Sequence, residues 1–325
     1  MSDYSFALLF LALLLDRVVG DPPWLWRHVP HPVVIFGKGI ALFDRLLNRP
    51  VFADGLRRSL GLVSILLLLI ISIVVGHALH CLFAASGVLG LGLEIVVASV
   101  LLAEKSLLDH VRAVADGLKQ GGLGEGRKAV SMIVGRDPAV LDEAGVVRAA
   151  LESLAENFAD GVVAPAFWYG LFGLPGLFAY KMLNTADSMI GHKSDKYRSF
   201  GWAAARLDDF ANWPAARLSG LLIVLAGGLL QGCNVARRGF SVMMRDHGLH
   251  RSPNSGWPEA AAAGVLDVAL AGPRLYAGER VSEPMMNAAG RRDINGQAIM
   301  AGLRLIDSAW IMLVVISVIC AAISM

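Results

Sequence analysis

The chain has 325 residues, of which 55% are hydrophobic and only 17% are charged, and its mean hydropathy is +0.58. This balance is typical of a membrane protein rather than a soluble domain. The net charge of +2 at pH 7 provides no large basic field, so nucleic acid is excluded as a partner. Cys81, Cys233 and Cys320 lie far apart, which excludes a disulfide framework and a zinc site.

The N-terminal apolar stretch, residues 6–15, predicts a helix that ends near Asp16. No basic residue precedes it and no small-residue cleavage motif follows it, so we do not expect a removable signal peptide. A membrane-crossing helix needs roughly 20 residues, and we therefore interpret the stretch as a retained helix that is partly buried or membrane-embedded. The segment 20–33 is rich in proline and predicts a loop.

The clearest membrane span is residues 60–84, and an uncharged turn at 85–92 leads into an apolar return at 91–103. Glu94 is the one charge in this return. His77 and His80 lie in the first span, and we interpret them as core histidines. The segment 104–156 is rich in lysine and arginine, so the positive-inside bias predicts that both flanks of this hairpin are cytoplasmic.

Three further apolar stretches follow. Residues 162–183 are interrupted by prolines and glycines, and broken helices at membrane depth usually line a cavity. Residues 217–230 are short for a span, which predicts a re-entrant or interfacial helix, whereas residues 305–325 predict a final span. The number of spans stays open.

Helical periodicity recurs along the chain and two-residue alternation is missing, so the predicted fold class is all-α. We expect a single polytopic integral membrane domain over residues 1–325, with broken or re-entrant helices and a polar cytoplasmic active-site region. A helix is also predicted to start near Pro258, and its small residues 260–264 provide a smooth face for close packing.

Three polar clusters occur within about sixty positions. The first contains Glu152, Glu156 and Asp160, which a helix would stack along one face over about 12 Å. Like charges this close repel each other, so either a divalent cation or downstream basic residues must offset them. The alternative is a solvated acidic helix face.

The second cluster is the run NTADSMIGHKSDKY at residues 184–197. Asn184, Asp187 and Ser188 share a helix face, and Lys193 and Lys196 follow after a glycine. Oxygen ligands next to lysines suit a magnesium ion that carries phosphate. The alternative is a polar loop that only caps a helix.

The third cluster is ARLDDFANWPAARL at residues 205–218, where Arg206, Asp209 and Asn212 are spaced three apart and Asp208 lies four before Asn212. All three clusters adjoin apolar sequence, and charge in a membrane protein is costly without a partner or a function. The sequence has no Walker A motif and no nucleophile elbow, so any nucleotide is bound in another way. Arg136, in GRDP at 135–138, belongs first to a helix-capping turn and second to a phosphate contact.

With these residues in hand, the chain resembles the adenosylcobinamide-phosphate synthase family, the CobD/CbiB membrane proteins of cobalamin biosynthesis. The resemblance covers nearly everything from Asp16 to Asp307. It rests on DRVVGDPPW and HPVVIFGKGI near the start, on the run from MIVGRDPAV to NWPAARL in the middle, and on SPNSGWPEAAAAGVLDVALAGPRLYAGE towards the end. The mild departures at Pro138 and Trp213 remove no charged residue from the clusters.

The resemblance implies an ATP-dependent amide ligase that joins adenosylcobyric acid to aminopropanol phosphate and gives adenosylcobinamide phosphate. It leaves open whether the amine is phosphorylated before coupling. From the chemistry we predict roles for the cluster residues. The magnesium ligands are Glu156, Asp160, Asp187 and Asp208; the phosphate and ATP contacts are Lys193, Lys196, Arg198, Arg206, Arg217 and Arg136; the catalytic residues are Asp209 as base, Lys181, Asn184 and Asn157.

The resemblance further implies a multi-pass protein of the bacterial inner membrane whose active site faces the cytoplasm. Its partners are the two substrates and membrane lipid, and association with other corrinoid-pathway membrane enzymes or with a second copy of the chain stays open. Trp24, Trp26 and Trp257 either contact the flat corrinoid or anchor the chain at the interface. Two other classes remain as alternatives: an intramembrane prenyltransferase that binds a lipid diphosphate through magnesium, and a transporter with half-helices.

Overall fold

The computed structural model describes residues 5–135, 137–276, 279–281 and 283–324. The first helices are α1 Ser5–Val19, α2 Pro23–Trp26, α3 Pro32–Leu47, α4 Asp54–Ala85, α5 Gly87–Val100 and α6 Glu104–Val130. The later helices are α7 Glu143–Phe158, α8 Ala164–Ile190, α9 Trp202–Gln231, α10 Cys233–Asp246, α11 Gly256–Leu266 and α12 Gly296–Ser324. Arg136 lies outside the described residues.

The all-α prediction is confirmed. In the described part of the chain the strands have two or three residues each: β1 Leu270–Ala271 pairs with β4 Met285–Met286, and β2 Arg274–Tyr276 pairs with β3 Glu279–Val281, both antiparallel. Five helical stretches of the described chain are long and apolar enough to cross a membrane: Asp54–Ala85, Gly87–Val130, Glu143–Ile190, Trp202–Gln231 and Gly296–Ser324. The chain is therefore a polytopic membrane protein.

The chain divides into two compact units. The first unit comprises residues 1–103, 164–212 and 317–325, and the second comprises residues 104–163 and 213–316. The single-domain prediction stays a prediction. In the first unit α4 packs against α8, α3 and α5, and in the second unit α10 packs against α11 and α6 against α7.

The N-terminal predictions are partly confirmed. Helix α1 forms where the apolar stretch predicts it and ends at Val19, three residues beyond Asp16. The proline-rich segment is less irregular than expected, because it contains the single turn α2 and the start of α3 at Pro32. A proline at the first helical position loses no hydrogen bond, since that amide has no partner inside the helix.

The predicted hairpin at residues 60–103 is present, but its turn is narrower than expected. Helix α4 ends at Ala85, and α5 already begins at Gly87, whose φ of 61° is in the left-handed region that favours glycine. The predicted break in 162–183 is also present. It occurs at Gly173, where φ is 63° and ψ is −151°, directly before Leu174 and Pro175.

The prediction of a short re-entrant helix at 217–230 is wrong in length. Residues 202–231 form one helix, α9, of 30 residues that contains Pro214. The apolar stretch begins only at Arg217, yet the helix extends back through the third polar cluster, where Asp208 and Asn212 are buried. The proline removes one backbone hydrogen bond, which is not enough to end a helix whose neighbouring turns are packed.

The small-residue face of α11 is confirmed as a packing surface. A side chain at Gly264 would lie 2.9 Å from the Cα atom of Gly239 and 2.8 Å from the Cβ atom of Val242, both on α10. The two helices therefore approach at the level of their backbones, as small residues allow in membrane proteins. This packing fixes the turn between α10 and α11, which holds residues of the second unit's polar site.

Candidate functional site

The first unit contains a polar cluster on α8 and α9, formed by the partly buried Asn184 and Asp187 and the buried Asp208 and Asn212. We call it the acidic cluster. The Tyr180 hydroxyl donates a hydrogen bond of 2.8 Å to the Asn212 Oδ1 atom, and the Asn212 Nδ2 atom donates one of 2.9 Å to the Asp208 Oδ2 atom. Asn212 and Asp208 expose only 2% and 8% of their surface. The amide therefore orients one face of the carboxylate.

The second oxygen of Asp208 is the unusual feature of the acidic cluster. Its Oδ1 atom is buried and has no hydrogen bond of good geometry from any described residue. The Asn184 side chain is near enough to interact with the carboxylate, and the Asp187 carboxylate repels it electrostatically. A buried carboxylate oxygen without a full set of donors is costly, which makes this oxygen a candidate ligand for a bound cation.

The residue types of the acidic cluster are those that could hold a magnesium ion. It takes oxygen ligands, usually one or two carboxylates completed by phosphate oxygens and water. Asp208 and Asp187 provide two carboxylates, and Asn184 adds an amide oxygen. The described residues contain no group of three or more His, Cys, Asp or Glu side chains arranged for a metal, so an all-protein metal cage is not what this site resembles.

Basic residues lie beside the acidic cluster. Arg206 lies 4.0 Å from the Asp209 carboxylate, and Lys193 interacts with the same carboxylate electrostatically. The side chain of Arg206 is 69% exposed and that of Asp209 is 35% exposed. Lys181 is buried and has an interaction within the protein. The site thus combines a buried acidic part with a more exposed rim of mixed charge.

Lys196 and Arg198 are engaged by other residues. The Lys196 Nζ atom donates hydrogen bonds to the Asp44 Oδ2 atom at 2.8 Å and to the Tyr197 hydroxyl at 2.7 Å. The hydrogen bond to Asp44 raises the pKa of Lys196, so it stays a cation. Arg198 lies 4.0 Å from the exposed Asp54 carboxylate. Both residues tie the segment after α8 to neighbouring helices, and their predicted phosphate contact stays a prediction.

The predicted stripe of three carboxylates is not continuous. Helix α7 ends at Phe158, and Asp160 lies in a wider helical turn at 159–163, where the α-helical spacing no longer holds. The Glu152 Oε1 atom accepts a hydrogen bond of 2.7 Å from the backbone N–H of Ala271. The Asn157 side chain donates to the Ser153 carbonyl at 2.8 Å. Glu152 therefore has a partner in the backbone of Ala271.

A second polar site lies wholly in the second unit, around Arg217 of α9. Its Nη1 atom donates hydrogen bonds to the Trp213 carbonyl at 2.8 Å and to the Asn254 Oδ1 atom at 3.2 Å. The guanidinium carbon lies 4.3 Å from the Trp213 ring centre and 4.7 Å from that of Trp257. The His247 ring stacks on Trp257 at 4.0 Å. Aromatic contacts and hydrogen bonds thus fix the orientation of this cation.

The turn before α11 also fixes a carboxylate. The Ser255 hydroxyl donates a hydrogen bond of 2.9 Å to the Glu156 Oε1 atom. Burial and the nearby Arg217 cation both lower the pKa of His247, so its imidazole is neutral at pH 7. We call the group formed by Glu156, Arg217, His247, Asn254 and Ser255 the turn site. The sequence did not predict it, because its residues come from three segments that are far apart in the chain, at 156, at 217 and at 247–255.

Sequence reasoning also missed the partners of Glu94. This carboxylate of α5 lies 3.1 Å from the His80 Nδ1 atom on α4, and its Oε1 atom accepts a hydrogen bond of 3.0 Å from the Tyr169 hydroxyl on α8. A signal was available, because His80 and Glu94 lie at similar distances on either side of the helical turn. The interpretation of His77 as a core residue is wrong, because its side chain is exposed on the surface of α4.

The fold and the two polar sites define a polytopic all-α membrane protein with oxygen-rich and cationic groups held on its helices. The family model described as CobD/Cbib protein matches residues 9–306, and the chain therefore belongs to this family. The predicted resemblance is confirmed at this level.

Three relatives illustrate the similarity, each named cobalamin biosynthesis protein CobD. The chain is 64% identical to that of Sinorhizobium sp over 93% of its length and 94% of the relative's. It is 61% identical to that of Rhizobium meliloti over 90% and 89% of the two chains, and 46% identical to that of Rhodobacter capsulatus over 86% of each. No solved structure matches the chain.

Proposed function

We propose that this protein acts in cobalamin biosynthesis as an ATP-dependent amide ligase. In this proposal it joins a carboxylate of adenosylcobyric acid to the amine of aminopropanol phosphate and gives adenosylcobinamide phosphate. The family match and the names of the relatives support the pathway. The observation that carries the chemistry is the buried Oδ1 atom of Asp208, which has no hydrogen bond of good geometry from the described residues and lies near a second carboxylate.

A free carboxylate does not react with an amine, so the reaction needs an activated acyl group. In the proposed route a carboxylate oxygen attacks the γ-phosphorus of ATP and displaces ADP, which leaves an acyl phosphate. The amine nitrogen then attacks the acyl carbon, the C–O bond breaks, and inorganic phosphate leaves. The ammonium must lose its proton before the attack, and we assign that proton to the half-exposed carboxylate of Asp209.

The acidic cluster supplies the electrostatic part of the reaction in this proposal. Asp187, Asp208 and the amide oxygen of Asn184 would hold magnesium, which neutralises charge on the nucleotide phosphates. Lys193 and Arg206 at the rim bind phosphate oxygens directly. Positioned charges of this kind provide most of the catalysis in phosphoryl transfer.

Glu156 and Asp160 are left out of the proposed magnesium set. Glu156 accepts a hydrogen bond from Ser255, and Asp160 lies in the wider turn after α7. The predicted location in the bacterial inner membrane, with the site facing the cytoplasm, remains part of the proposal and rests on the basic segment 104–156. Association with other corrinoid-pathway enzymes and self-association stay predictions.

The test is a reconstituted reaction with the purified full chain in detergent. Adenosylcobyric acid, aminopropanol phosphate, ATP and magnesium are combined, and the amide and ADP are followed by mass spectrometry and chromatography. We expect one ADP for each amide, and no amide when ATP or magnesium is omitted. Absence of the amide with all four components present would refute the ligase.

The same preparation distinguishes the alternative classes. Incubation with an isoprenyl diphosphate and a polar acceptor should release no diphosphate, because the proposed reaction transfers the γ-phosphoryl group of ATP to a carboxylate and cleaves no lipid diphosphate. Family membership also argues against a transporter.

A further inference from the structure

We infer that the turn site binds a small ligand that carries an ammonium group and an oxyanion, namely an aminoalkyl phosphate. The inference rests on the proposed function in one respect, since that function requires such a substrate. Its evidence is independent of the acidic cluster, because every residue involved belongs to the second unit. It assigns the amine substrate to Arg217 and Glu156.

The first observation concerns the donors of Arg217. The Nη1 atom donates its hydrogen bonds to the Trp213 carbonyl and the Asn254 Oδ1 atom. The Nε and Nη2 groups, on the opposite edge of the guanidinium, remain as donors for a ligand. No carboxylate of the described chain lies within ion-pair distance of this guanidinium. The free edge presents two parallel N–H donors, the geometry that binds carboxylate and phosphate oxygens in pairs.

The second observation concerns Glu156. Its Oε1 atom is held by Ser255, and no lysine, arginine or histidine among the described residues lies within ion-pair distance of the carboxylate. The side chain is partly buried. A partly buried carboxylate that lacks a cation is a favourable place for a ligand ammonium.

The third observation connects the two charges. Arg217 is bonded to Asn254 and Glu156 to Ser255, and consecutive Cα atoms are about 3.8 Å apart. Two opposite charges are therefore anchored on adjacent residues of one turn and yet do not pair with each other. A ligand with complementary charges at its two ends bridges this arrangement, whereas a simple anion satisfies only half of it.

The surrounding aromatic groups fit the same ligand. Trp213 and Trp257 hold the guanidinium in place. The side chain of Arg217 therefore loses little conformational entropy when the ligand binds. His247 stacks on Trp257 and adds an imidazole near the cation. A phosphate headgroup of a lipid has the same anionic chemistry, so the experiment must separate the two sources.

The experiment measures binding to the purified full chain by isothermal titration calorimetry, without ATP. The probes are aminopropanol phosphate, inorganic phosphate and free aminopropanol. We expect aminopropanol phosphate to bind at least 10-fold more tightly than either of the other two probes. The variants are Arg217→Gln, Arg217→Lys and Glu156→Gln, and Arg237→Gln serves as the matched control because Arg237 is exposed on α10.

We expect a crossed pattern, in which each variant loses the binding of one end of the ligand and keeps the binding of the other end. Arg217→Gln should weaken the binding of aminopropanol phosphate and of inorganic phosphate by about 30-fold or more, and it should leave the binding of free aminopropanol unchanged. Glu156→Gln keeps an oxygen that accepts the hydrogen bond from Ser255. It should weaken the binding of aminopropanol phosphate and of free aminopropanol by about 10-fold and leave the binding of inorganic phosphate unchanged. Arg217→Lys should recover only part of the loss, because lysine lacks the paired donors. The control should bind like the wild type.

Three results would overturn the inference. One is unchanged binding of inorganic phosphate in Arg217→Gln. Another is an equal loss of binding of inorganic phosphate and of free aminopropanol in Arg217→Gln and in Glu156→Gln, with both variants unfolding at the wild-type temperature, which shows that the two residues do not recognise separate ends of the ligand. The third is absence of soluble-ligand binding together with less co-purified phospholipid in Arg217→Gln, which identifies a lipid headgroup instead. If the wild type binds aminopropanol phosphate with the crossed pattern but forms no amide, the ligase proposal fails and this inference stands.

Discussion

Glu94 and Asp208 are both buried carboxylates on helices that are apolar enough to cross a membrane, yet their surroundings differ. Glu94 receives contacts from His80 and the Tyr169 hydroxyl, which belong to two other helices. Asp208 accepts a hydrogen bond from Asn212 on its own helix and has the Asn184 amide and the Asp187 carboxylate nearby, yet its buried Oδ1 atom has no hydrogen bond of good geometry from the described residues. The first carboxylate has a partner for each of its oxygens, whereas the second has one oxygen that the protein leaves poorly satisfied.

The comparison separates two reasons for which a membrane protein retains a buried acid. A satisfied acid links helices, and its removal leaves its donors without partners. An acid that lacks donors costs folding free energy, and such a cost is typical of a group kept for binding or catalysis. The two residues should therefore respond to substitution in opposite ways, one in stability and the other in activity.

The largest expected effect is on turnover in Asp208→Asn. Loss of the charge that faces Asp187 should lower the rate of amide formation by about 1,000-fold, while thermal stability stays equal or rises because the repulsion is removed. The measurement is the reconstituted reaction together with thermal unfolding in detergent. Asp195→Asn is the control, since Asp195 is exposed in the same polar run. A variant of Asp208 with wild-type turnover would remove the basis for the magnesium site.

Glu94→Leu should show the opposite pattern. His80 and Tyr169 would lose their shared acceptor, and we expect the free energy of unfolding to fall by about 2–3 kcal/mol. The rate of amide formation per folded molecule should be unchanged. Chemical unfolding in detergent measures the first quantity, and the exposed-site variant Glu125→Leu should stay within about 0.5 kcal/mol of the wild type. A loss of turnover without a loss of stability would reverse the assignment.

Tyr169→Phe sharpens the same point with a smaller change. It removes one of the contacts to Glu94 and keeps the ring, so the expected loss is about 1 kcal/mol in the free energy of unfolding. Because the Tyr169 hydroxyl and the Glu94 carboxylate contact each other, the losses of unfolding free energy in Glu94→Leu and Tyr169→Phe should not be additive when the two changes are combined. Additive losses would show that the hydroxyl and the carboxylate act independently.

Asp246 extends the comparison to a satisfied acid outside the candidate spans. Hydrogen bonds from Arg245 at 2.7 and 2.8 Å, and one from the Asn287 backbone, lower its pKa. A lowered folded pKa stabilises the protein above the ordinary value of about 4 and loses this contribution as the pH falls towards the folded value. Melting temperatures of wild type and Asp246→Asn should therefore differ at pH 7 and converge below about pH 4. A constant difference across this range would contradict the ion-pair explanation.

Much of the fold could be predicted from the sequence, because apolar length and helical periodicity are local properties. The hairpin at 60–103 and the break in 162–183 are examples, as is the helix near Pro258. The length of α9 could not, since Pro214 and the charges before it are ordinary helix-ending signals. Only the packing of Asp208 and Asn212 against other helices shows that this segment stays helical.

The candidate site divides in the same way. Asn184 with Asp187 and Asp208 with Asn212 could be predicted, because each pair lies within one turn of a helix. Their proximity to one another follows from the packing of α8 with α9 and needed coordinates. The turn site could not be anticipated at all: Arg217, Trp257 and Glu156 meet through three separate segments, and no local pattern connects them.

The contact between His80 and Glu94 has a consequence for how the protein enters the bilayer. A lone carboxylate at membrane depth costs about 3 kcal/mol on translocon scales, so residues 87–100 are poorly suited to partition alone. Because Ser86 alone separates α4 from α5, the histidine reaches the carboxylate as soon as both helices exist. We therefore expect the two helices to leave the translocon together as a hairpin, and loss of His80 should delay the integration of the second helix.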